Sequence, residues 1–323
     1  MEQNRENIIE IEHVSKEYPG TTLKAVDDVS LSIEEGTFVT ILGSSGSGKT
    51  TLLKMINRLI ESSEGTIRFD GEDIKNLNLN DYRRKLGYVI QQSGLFPNKS
   101  VAENIATVPK LLGWKKDDIT RRVDELLNMV QLSPDEYRDR YPRQLSGGQQ
   151  QRVGLARALA ANPSVILMDE PFGAIDALTR EKLQNELLTL HDEINNTIIF
   201  VTHDIQEAFK LGSKVIIMDQ GKVQQYDSPA NIVLNPANDY VKKLIGTKDV
   251  FDRLRVLYVE NHFEPATEIE IKEGLRITVK TSLSEALSSL MVNSKEYLIV
   301  EKEDGTVLGK VTYSHINEIL DKR

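Results

Sequence analysis

The chain has 323 residues, enough for one large domain and a smaller one, and its 39% hydrophobic and 28% charged content is typical of a globular protein. A formal net charge of −9 argues against a nucleic-acid partner, because phosphate binding needs a basic surface. The absence of cysteine excludes disulfides, thiolate metal sites and cysteine nucleophiles, and it suits a reducing cytoplasm. The acidic N-terminal segment lacks the apolar stretch of a signal peptide, and the apolar runs are too short to span a bilayer.

The first strong motif is a glycine-rich segment between a predicted strand and a predicted helix. An apolar run at residues 37–42 predicts a buried strand, and helical spacing of apolar residues begins at Leu52, after a segment of nine residues. The residues predicted to form one face of that helix are Leu52, Leu53, Ile56, Leu59 and Ile60. The segment between them, GSSGSGKTT, fills every fixed position of the phosphate-loop pattern G-x-x-x-x-G-K-[ST].

This loop predicts a site for a nucleotide and Mg²⁺. Its glycines allow the backbone to wrap closely around a β-phosphate, Lys49 is placed to reach the β- and γ-phosphates, and the Thr50 hydroxyl is placed to bind Mg²⁺. The residues assigned to the nucleotide are Gly43, Ser44, Ser45, Gly46, Ser47, Gly48, Lys49, Thr50 and Thr51. A chance match to a Gly/Ser-rich turn would not supply both flanking elements.

A short apolar run and a helical region follow the loop. Residues 88–90 predict a strand, and Gln91 comes directly after it. Residues 100–132 are patterned as helices with an apolar stripe. The residues of that stripe are Ile119, Val123, Leu126, Leu127 and Val130.

The segment LSGGQQQRVGLARAL predicts a second anion site. Its small residues open a helix whose apolar positions are Val153, Ala156, Leu159 and Ala160, and Asn162-Pro163 ends it. Free N–H groups and the helix dipole make such a helix start favourable for an anion. The residues assigned to this second site are Ser146, Gly147, Gly148 and Gln149.

Two further apolar runs end in residues that suit phosphate chemistry. Residues 163–168 predict a buried parallel strand that delivers Asp169, placed to orient Mg²⁺, and Glu170, placed to polarise a water. Residues 197–204 predict another strand that carries His203 at its C-terminal end. In open α/β sheets ligands collect at that edge, although a histidine there is by itself as often structural.

The order of these motifs, with Tyr18 before the loop and GAID after LMDEP, resembles the ATP-binding subunit of ABC transporters over roughly residues 7–245. The LSGGQ segment just upstream of the LMDEP strand is specific to that family. The resemblance implies an α/β fold with a phosphate-loop NTPase core and a helical subdomain at about 92–160. It also implies a homodimer in which ATP lies between one subunit's loop and the other's LSGGQ, which would explain the two anion sites.

The resemblance also implies a role for each matching residue. Glu170 would be the general base, His203 would hold the γ-phosphate, and Gln91 would contact Mg²⁺ and the lytic water. Tyr18 would stack on adenine, and Asp176 would lie at the dimer seam. The sequence departs from the family pattern at one motif, where GAID at residues 173–176 replaces the commoner SALD. Ile175 stands there in place of leucine, and this change conserves volume. Residues 94–105 are the expected docking segment for a membrane subunit, with local packing of Leu95 and Phe96 as the alternative.

The last 75 or so residues predict a second domain, so we expect domains at 1–246 and 247–323. The tail pattern is strand, helix, strand, turn, strand, helix, with a helical face and an Asp-Gly turn that suits a hairpin. It resembles one small α+β CBS module, which implies pairing with a second copy and binding of an adenine nucleotide such as cyclic di-AMP. The alternative is a packing or dimerisation appendage without a ligand.

The combination of ABC ATPase and CBS-like tail resembles importers of quaternary amines such as glycine betaine, carnitine and choline. It implies an ATPase on the cytoplasmic face of the membrane, bound peripherally to permease subunits and served indirectly by an extracellular solute-binding domain or protein. The alternatives are the ATPase of another importer, such as an amino-acid or methionine system, and a soluble non-transport ABC protein. The latter usually carries two ATPase halves or a long coiled coil, and this sequence shows neither.

Overall fold

The computed structural model describes residues 6–20, 23–90, 94–173, 175–246 and 254–321. The predicted site residue Gln91 therefore lies outside the described residues. The chain divides into two compact units, Met1–Tyr226 and Asp227–Arg323. The boundary expected from the sequence, at 246/247, stays a prediction.

The first unit contains two β-sheets. Its strands are Asn7–Lys16 (β1), Val26–Glu34 (β2), Phe38–Gly43 (β3), Glu64–Phe69 (β4), Glu72–Asp73 (β5), Leu86–Val89 (β6), Val165–Asp169 (β7), Thr197–Thr202 (β8), Lys214–Asp219 (β9) and Lys222–Asp227 (β10). One sheet has four strands in the order β2-β1-β4-β5, and the other has six in the order β10-β9-β3-β8-β7-β6.

The six-stranded sheet is the one that positions the predicted phosphate site. Strand β3 pairs in parallel with β8 and β9, and β7 pairs in parallel with β8 and β6. Every residue of β3, β7 and β8 is buried. Continuous apolar strands of this kind are stable because both faces of a parallel sheet are covered, so the predicted strands at these positions are confirmed.

The helices of the first unit connect and cover these strands. They are Lys49–Ile56 (α1), Leu79–Arg84 (α2), Val101–Ile105 (α3), Thr107–Leu111 (α4), Lys116–Met129 (α5), Pro134–Tyr137 (α6), Gly147–Leu159 (α7), Ala177–Ile194 (α8) and Ile205–Leu211 (α9), with a 3₁₀ turn at Pro142–Gln144. Across the described ranges of the chain, no helix combines the length and apolarity that crossing a membrane would need.

Helix α1 is shorter than its apolar spacing predicts. The helix ends at Ile56, and Arg58 adopts a left-handed backbone conformation with φ 50°. Leu59 is consequently exposed and Ile60 only packs against the edge of the core, so their assignment to the helix face was wrong. A left-handed residue terminates a helix whatever the hydrophobicity of the residues that follow.

The helical region between β6 and β7 packs on one apolar cluster. The predicted stripe on α5 is buried, together with Val153, Ala156 and Leu159 of α7. A buried arginine, Arg122, connects the two helices because its guanidinium donates a hydrogen bond to the Leu159 carbonyl (3.1 Å). The same cluster includes Met168 of β7 and Phe200 of β8, so the helical region packs on a core that it shares with the six-stranded sheet.

The second unit contains a three-stranded sheet and several helices. Its elements are Pro229–Leu234 (α10), Asp239–Leu244 (α11), a 3₁₀ turn at Val259–Asn261, Glu268–Glu273 (α12), Leu275–Thr278 (β11), Leu283–Val292 (α13), Tyr297–Glu301 (β12), Val307–Thr312 (β13) and Tyr313–Asp321 (α14). Strand β12 is central, parallel to β11 and antiparallel to β13.

The predicted order of elements in the tail is confirmed. The helix face expected at Leu283, Ala286, Leu287 and Leu290 is buried. The Asp-Gly turn closes the β12–β13 hairpin, where Gly305 has φ +82° and Lys302 N donates to Thr306 O (2.9 Å). A glycine suits this position because the left-handed region costs it no Cβ clash.

Candidate functional site

Three strand ends bring the predicted phosphate residues to one edge of the six-stranded sheet. Leu42 of β3 lies beside Thr202 of β8, and Val201 of β8 lies beside Asp169 of β7. The residues that follow these strands are the phosphate loop, Glu170 and His203. Parallel strands thus place side chains from three separate segments at their shared carboxyl edge.

The phosphate loop is held by close backbone approaches. Gly46 and Gly48 have φ +80° and +101°, conformations that L side chains rarely adopt. A Cβ at Gly43 would lie 2.3 Å from the Met218 carbonyl oxygen, and one at Gly48 would lie 2.3 Å from that of Ala25. These glycines therefore allow the loop to lie directly against neighbouring backbone.

Lys49 closes the loop on itself. Its Nζ donates hydrogen bonds to the carbonyl oxygens of Gly43 and Ser44, both at 2.8 Å. Burial lowers the pKa of the Lys49 ammonium, and the carboxylates of Glu170 and Asp169 oppose that shift. A buried cation held at the loop start, next to two carboxylates, is suited to a polyanionic ligand.

Thr50 and Asp169 form the pair predicted to hold the metal. Thr50 Oγ1 donates a hydrogen bond to Asp169 Oδ1 at 2.7 Å. Burial raises the pKa of the Asp169 carboxyl, and the hydrogen bond from Thr50 opposes the shift. The Asp169 carboxylate and the Thr50 hydroxyl each offer an oxygen of the kind that Mg²⁺ prefers. A bound Mg²⁺ would favour the ionised form of the carboxylate.

Magnesium is usually bound by one or two protein oxygens and completed by water and substrate phosphates. Thr50 and Asp169 supply two protein oxygens, which is the number that this mode of binding uses.

Tyr88 lies near the Thr50–Asp169 pair. The sequence predicted it only as part of a strand. Its phenol oxygen is buried and has no hydrogen-bond partner among the described residues. Burial raises the pKa of the Tyr88 phenol, and the charge of Asp169 raises it further. The sequence carries no signal for this proximity, because it results from the pairing of β6 with β7, where Tyr88 lies opposite Leu167.

Glu170 and His203 face each other across the strand ends. His203 Nδ1 lies 3.3 Å from Glu170 Oε2, and the Glu170 side chain is 21% exposed whereas that of His203 is 65% exposed. Glu170 has φ 47°, and its N–H donates to the Val201 carbonyl at 3.1 Å. The unusual backbone conformation turns the carboxylate out of the strand toward His203, where a water could approach both.

Tyr18 lies on the segment that joins β1 to β2. Its ring is 38% exposed, and the ammonium of Lys16 lies 5.4 Å from the ring centroid. The segment is closed by a hydrogen bond from Ala25 N to Lys16 O (2.8 Å), and the Ala25 carbonyl is the one that abuts Gly48. An exposed aromatic face is thereby connected to the phosphate loop through backbone contacts.

The second predicted anion site forms the start of α7. Ser146 is the N-cap: its Oγ accepts from Gln149 N (3.3 Å), and Gln149 Oε1 accepts from Ser146 N (2.9 Å). The N–H groups of Gly147 and Gly148, first in the helix, then have no acceptor within it. A Cβ at Gly147 would have no neighbour within 4 Å, so this helix start is open.

The structure does not join this helix start to the phosphate loop of the same chain. Between the described residues, no hydrogen bond or ion pair links residues 146–149 with residues 43–51. Asp176, which caps α8, is likewise exposed, and its carboxylate accepts from Thr179 N at 3.0 Å. This backbone hydrogen bond lowers the pKa of Asp176.

The comparisons with known proteins agree with this geometry. Residues 26–173 match the family model described as ABC transporter. The chain is 44% identical over 309 residues to the glycine betaine uptake system ATP-binding protein YehX of Escherichia coli (strain K12), covering 96% of this chain and 99% of that protein. It is 43% identical to the glycine betaine/carnitine/choline transport ATP-binding protein OpuCA of Bacillus subtilis (strain 168), covering 96% of this chain and 80% of that protein.

Two solved structures are each similar to about two thirds of the chain. One is the dimer of MJ0796, a bacterial ABC transporter cassette, with TM-score 0.64 and 37% identity over 68% of this chain and 98% of that one. The other is the same cassette in a post-hydrolysis dimer bound to ADP and Pi, with TM-score 0.63 and 36% identity over 68% of this chain and 98% of that one.

Proposed function

Because this chain belongs to the ABC transporter family, as one of its ATP-hydrolysing subunits, we propose that it powers import of a quaternary-amine compatible solute such as glycine betaine, carnitine or choline. The observation that carries the proposal is that similarity to glycine betaine uptake subunits extends through the tail, not only the ATPase unit. The chain would work at the cytoplasmic face of the membrane, bound peripherally to its permease and served indirectly by an extracellular solute-binding protein or domain.

In the proposed ATP site, Lys49 and the loop N–H groups hold the β- and γ-phosphates. Thr50, Asp169 and Gln91 hold Mg²⁺, which when bound neutralises charge on the phosphate oxygens. The 2.7 Å contact between Thr50 and Asp169 supports the assignment of those two residues. Gln91 rests on the sequence pattern alone.

Glu170 is the proposed general base and His203 the proposed γ-phosphate ligand. Their 3.3 Å separation supports this pair, because one water between them and a phosphate would meet both an acceptor and a hydrogen-bonding imidazole. Tyr18 is proposed to stack on adenine through its exposed face, a contact worth about 1–3 kcal/mol in nucleic-acid binding.

Each ATP is proposed to lie between two copies of the chain, with Asp176 near the seam. The open helix start at residues 146–149, unconnected to the loop of its own chain, supports a site shared between subunits. The test is to mix a Lys49→Ala chain with a Ser146→Arg chain. If sites are shared, one site of the mixed dimer carries both lesions and the other neither, so activity returns; if each chain holds a whole site, mixing restores nothing.

The permease is proposed to dock on the helical region near residues 94–105. Phe96 there is exposed, whereas Leu95 packs against the helical core. A groove of about 400 Å³ lies alongside, lined by residues of α3, α4 and α5 together with Trp114 and Arg138. A Phe96→Cys chain should form a specific cross-link to the permease in membranes, and a Leu23→Cys chain, exposed elsewhere, should not.

The tail is proposed to be a CBS-like regulatory module at residues 247–323. Two copies, one per subunit, would pair and bind an adenine nucleotide such as cyclic di-AMP near Tyr297 and Thr312, which lie opposite each other at one end of the β12–β13 pair. Thr278, expected from the sequence to lie with them, is instead opposite Glu301 at the other end of β12. Binding would favour a dimer that cannot close on ATP, through its differential affinity for two states. If the full chain binds no nucleotide beyond its ATP sites, and a chain cut after Thr247 responds normally to ionic strength, the tail is an appendage.

The solute class is tested on the assembled transporter. The chain is purified with its membrane subunits, and ATP hydrolysis is measured with glycine betaine, carnitine, choline, methionine and other amino acids. Stimulation by the quaternary amines supports the proposal. Stimulation only by methionine or another amino acid would assign the chain to a different importer.

A further inference from the structure

A buried carboxylate with no assigned role lies behind the site. Glu207 of α9 is 8% exposed, although carboxylates are rarely buried unless paired. Burial raises the pKa of Glu207, and the hydrogen bond from Thr202 opposes that shift. Keeping such a group inside a protein costs free energy, so its partners indicate what it holds in place.

One set of partners fixes the corner that carries His203. Thr202 Oγ1 donates to Glu207 Oε2 at 2.7 Å, and Asp204 N donates to Thr202 Oγ1 at 3.0 Å. Asp204 in turn caps α9, because its carboxylate accepts from Gln206 N (2.8 Å) and Glu207 N (3.3 Å). Of the two neighbours of His203 in the chain, Thr202 therefore bonds directly to the Glu207 carboxylate, and Asp204 is joined to it through the Thr202 hydroxyl.

The other set of partners belongs to α8 and the turn before it. Gln184 Nε2 donates to Glu207 Oε1 at 3.3 Å, and Arg180 Nε lies 3.9 Å from the same oxygen. Arg180 also donates through Nη2 to the Ile175 carbonyl at 3.0 Å. Ile175 immediately precedes Asp176, so this arginine connects the buried carboxylate to the start of α8.

We propose that Glu207 is a positioning residue that holds His203 and the Ile175–Asp176 turn in one fixed relation. The proposal rests on the roles given above to His203 and Asp176. Because one carboxylate receives hydrogen bonds or charge from both segments, a displacement of either moves the other. The γ-phosphate ligand of one site and the residue at the subunit seam would then change position together.

The test is Glu207→Gln, which keeps the shape but places an amide NH₂ among donors. Thr202 and Gln184 both donate to the carboxylate, so one of them must reorient to accept from the new NH₂, and the charge attraction to Arg180 is lost. We expect kcat for ATP hydrolysis by the full chain to fall roughly 10- to 100-fold, the scale of a small misplacement, with KM changed less than about 3-fold.

The matched control is Arg122→Gln in the same unit. Arg122 is 9% exposed and, like Glu207, is a buried charge with a charged partner, Glu125. Both variants are expected to lower the unfolding midpoint, but only Glu207→Gln is expected to lower kcat among folded molecules. If the two variants lose kcat equally, or neither loses any, Glu207 has only a structural role and the proposal is overturned.

Two further variants keep the test decisive. If Glu207→Gln does not fold, Thr202→Val removes a single hydroxyl from the same cluster and is expected to show the same loss of kcat at unchanged KM; normal kcat there overturns the proposal. A His203→Ala variant distinguishes failure of the proposed role of His203 from failure of the proposed role of Glu207. If His203→Ala hydrolyses ATP normally, the proposed catalytic role of His203 fails; if it is inactive while Glu207→Gln behaves like Arg122→Gln, only the positioning role fails.

Discussion

Two glycines of the phosphate loop, Gly46 and Gly48, should respond very differently to the same substitution. Both have positive φ, +80° and +101°, so an alanine at either position is forced into a disfavoured backbone conformation. At Gly46 the new Cβ would have no neighbour within 4 Å. At Gly48 it would lie 2.3 Å from the Ala25 carbonyl oxygen, a backbone atom that no side-chain rotation can move away.

The magnitudes follow from these two geometries. A left-handed conformation costs an L residue roughly 1–2 kcal/mol, so Gly46→Ala should lower the unfolding free energy of the first unit by about that amount. Gly48→Ala adds the cost of an overpacked contact, about 1–3 kcal/mol, for a total of about 2–5 kcal/mol. The displaced loop should also bind MgATP more weakly, since Ala25 and Gly48 connect the Tyr18 segment to the loop.

Trp114 makes the comparison measurable. It is the only tryptophan of the chain and lies in the first unit, so urea unfolding followed by its fluorescence reports on that unit and not on the tail. The midpoint for Gly48→Ala should lie clearly below that for Gly46→Ala at equal slope. If the two variants unfold within about 0.5 kcal/mol of each other, the loop does not depend on the Ala25 contact, and the account of Gly48 is refuted.

Further predictions concern the catalytic base, the metal pair and the tail. Glu170→Gln should retain ATP binding, slow hydrolysis roughly 10²- to 10⁴-fold and trap an ATP-bound dimer visible by size exclusion; near-normal turnover would remove Glu170 from its role. Thr50→Val deletes the hydrogen bond to Asp169 and should weaken the Mg²⁺ enhancement of ATP affinity at least about 10-fold, measured with and without EDTA, whereas an unchanged enhancement would exclude Thr50 as a ligand. The hydrogen bond from Lys310 lowers the pKa of Glu270 to about 2 from an ordinary 4.5, so its stabilisation is complete above pH 4.5 and lost as pH falls toward 2. Amide protection of α12 should fall across that window, and Lys310→Met should shrink the step to the part that the Thr267 hydrogen bonds maintain; an identical fall in the variant would exclude this ion pair as the cause.

The architecture of the site was predictable because its signals are local. The strand–loop–helix setting of the phosphate loop is read from residues 37–60, and the polar residues after β7 and β8 are read from the runs at 163–171 and 197–204. Parallel strands then bring those ends together without further information. The error at α1 is instructive, because apolar spacing continued to Ile60 whereas the backbone ended the helix at Ile56.

The residues that escaped prediction depend on pairing between distant elements. Glu207 looks like any carboxylate in the first turn of an exposed helix until α8 supplies Gln184 and Arg180 across from it. Tyr88 looks like an ordinary strand residue until β6 pairs with β7 beside Asp169. Neither contact has a sequence signature, since burial of a polar group is decided by the packing of the whole unit.

The open start of α7 gives the proposed dimer a way to sense ATP. Each helix start offers the N–H groups of Gly147 and Gly148, and a hydrogen bond to a charged phosphate is worth roughly 1.5–3 kcal/mol. Two such bonds at each of two sites amount to roughly 6–12 kcal/mol before opposing costs. Shifting a two-state equilibrium from 1:99 to 99:1 needs about 5.5 kcal/mol. In the proposed dimer, where each site combines the loop of one chain with the helix start of the other, the γ-phosphates would therefore contribute to holding the two copies together, and their hydrolysis would remove that contribution.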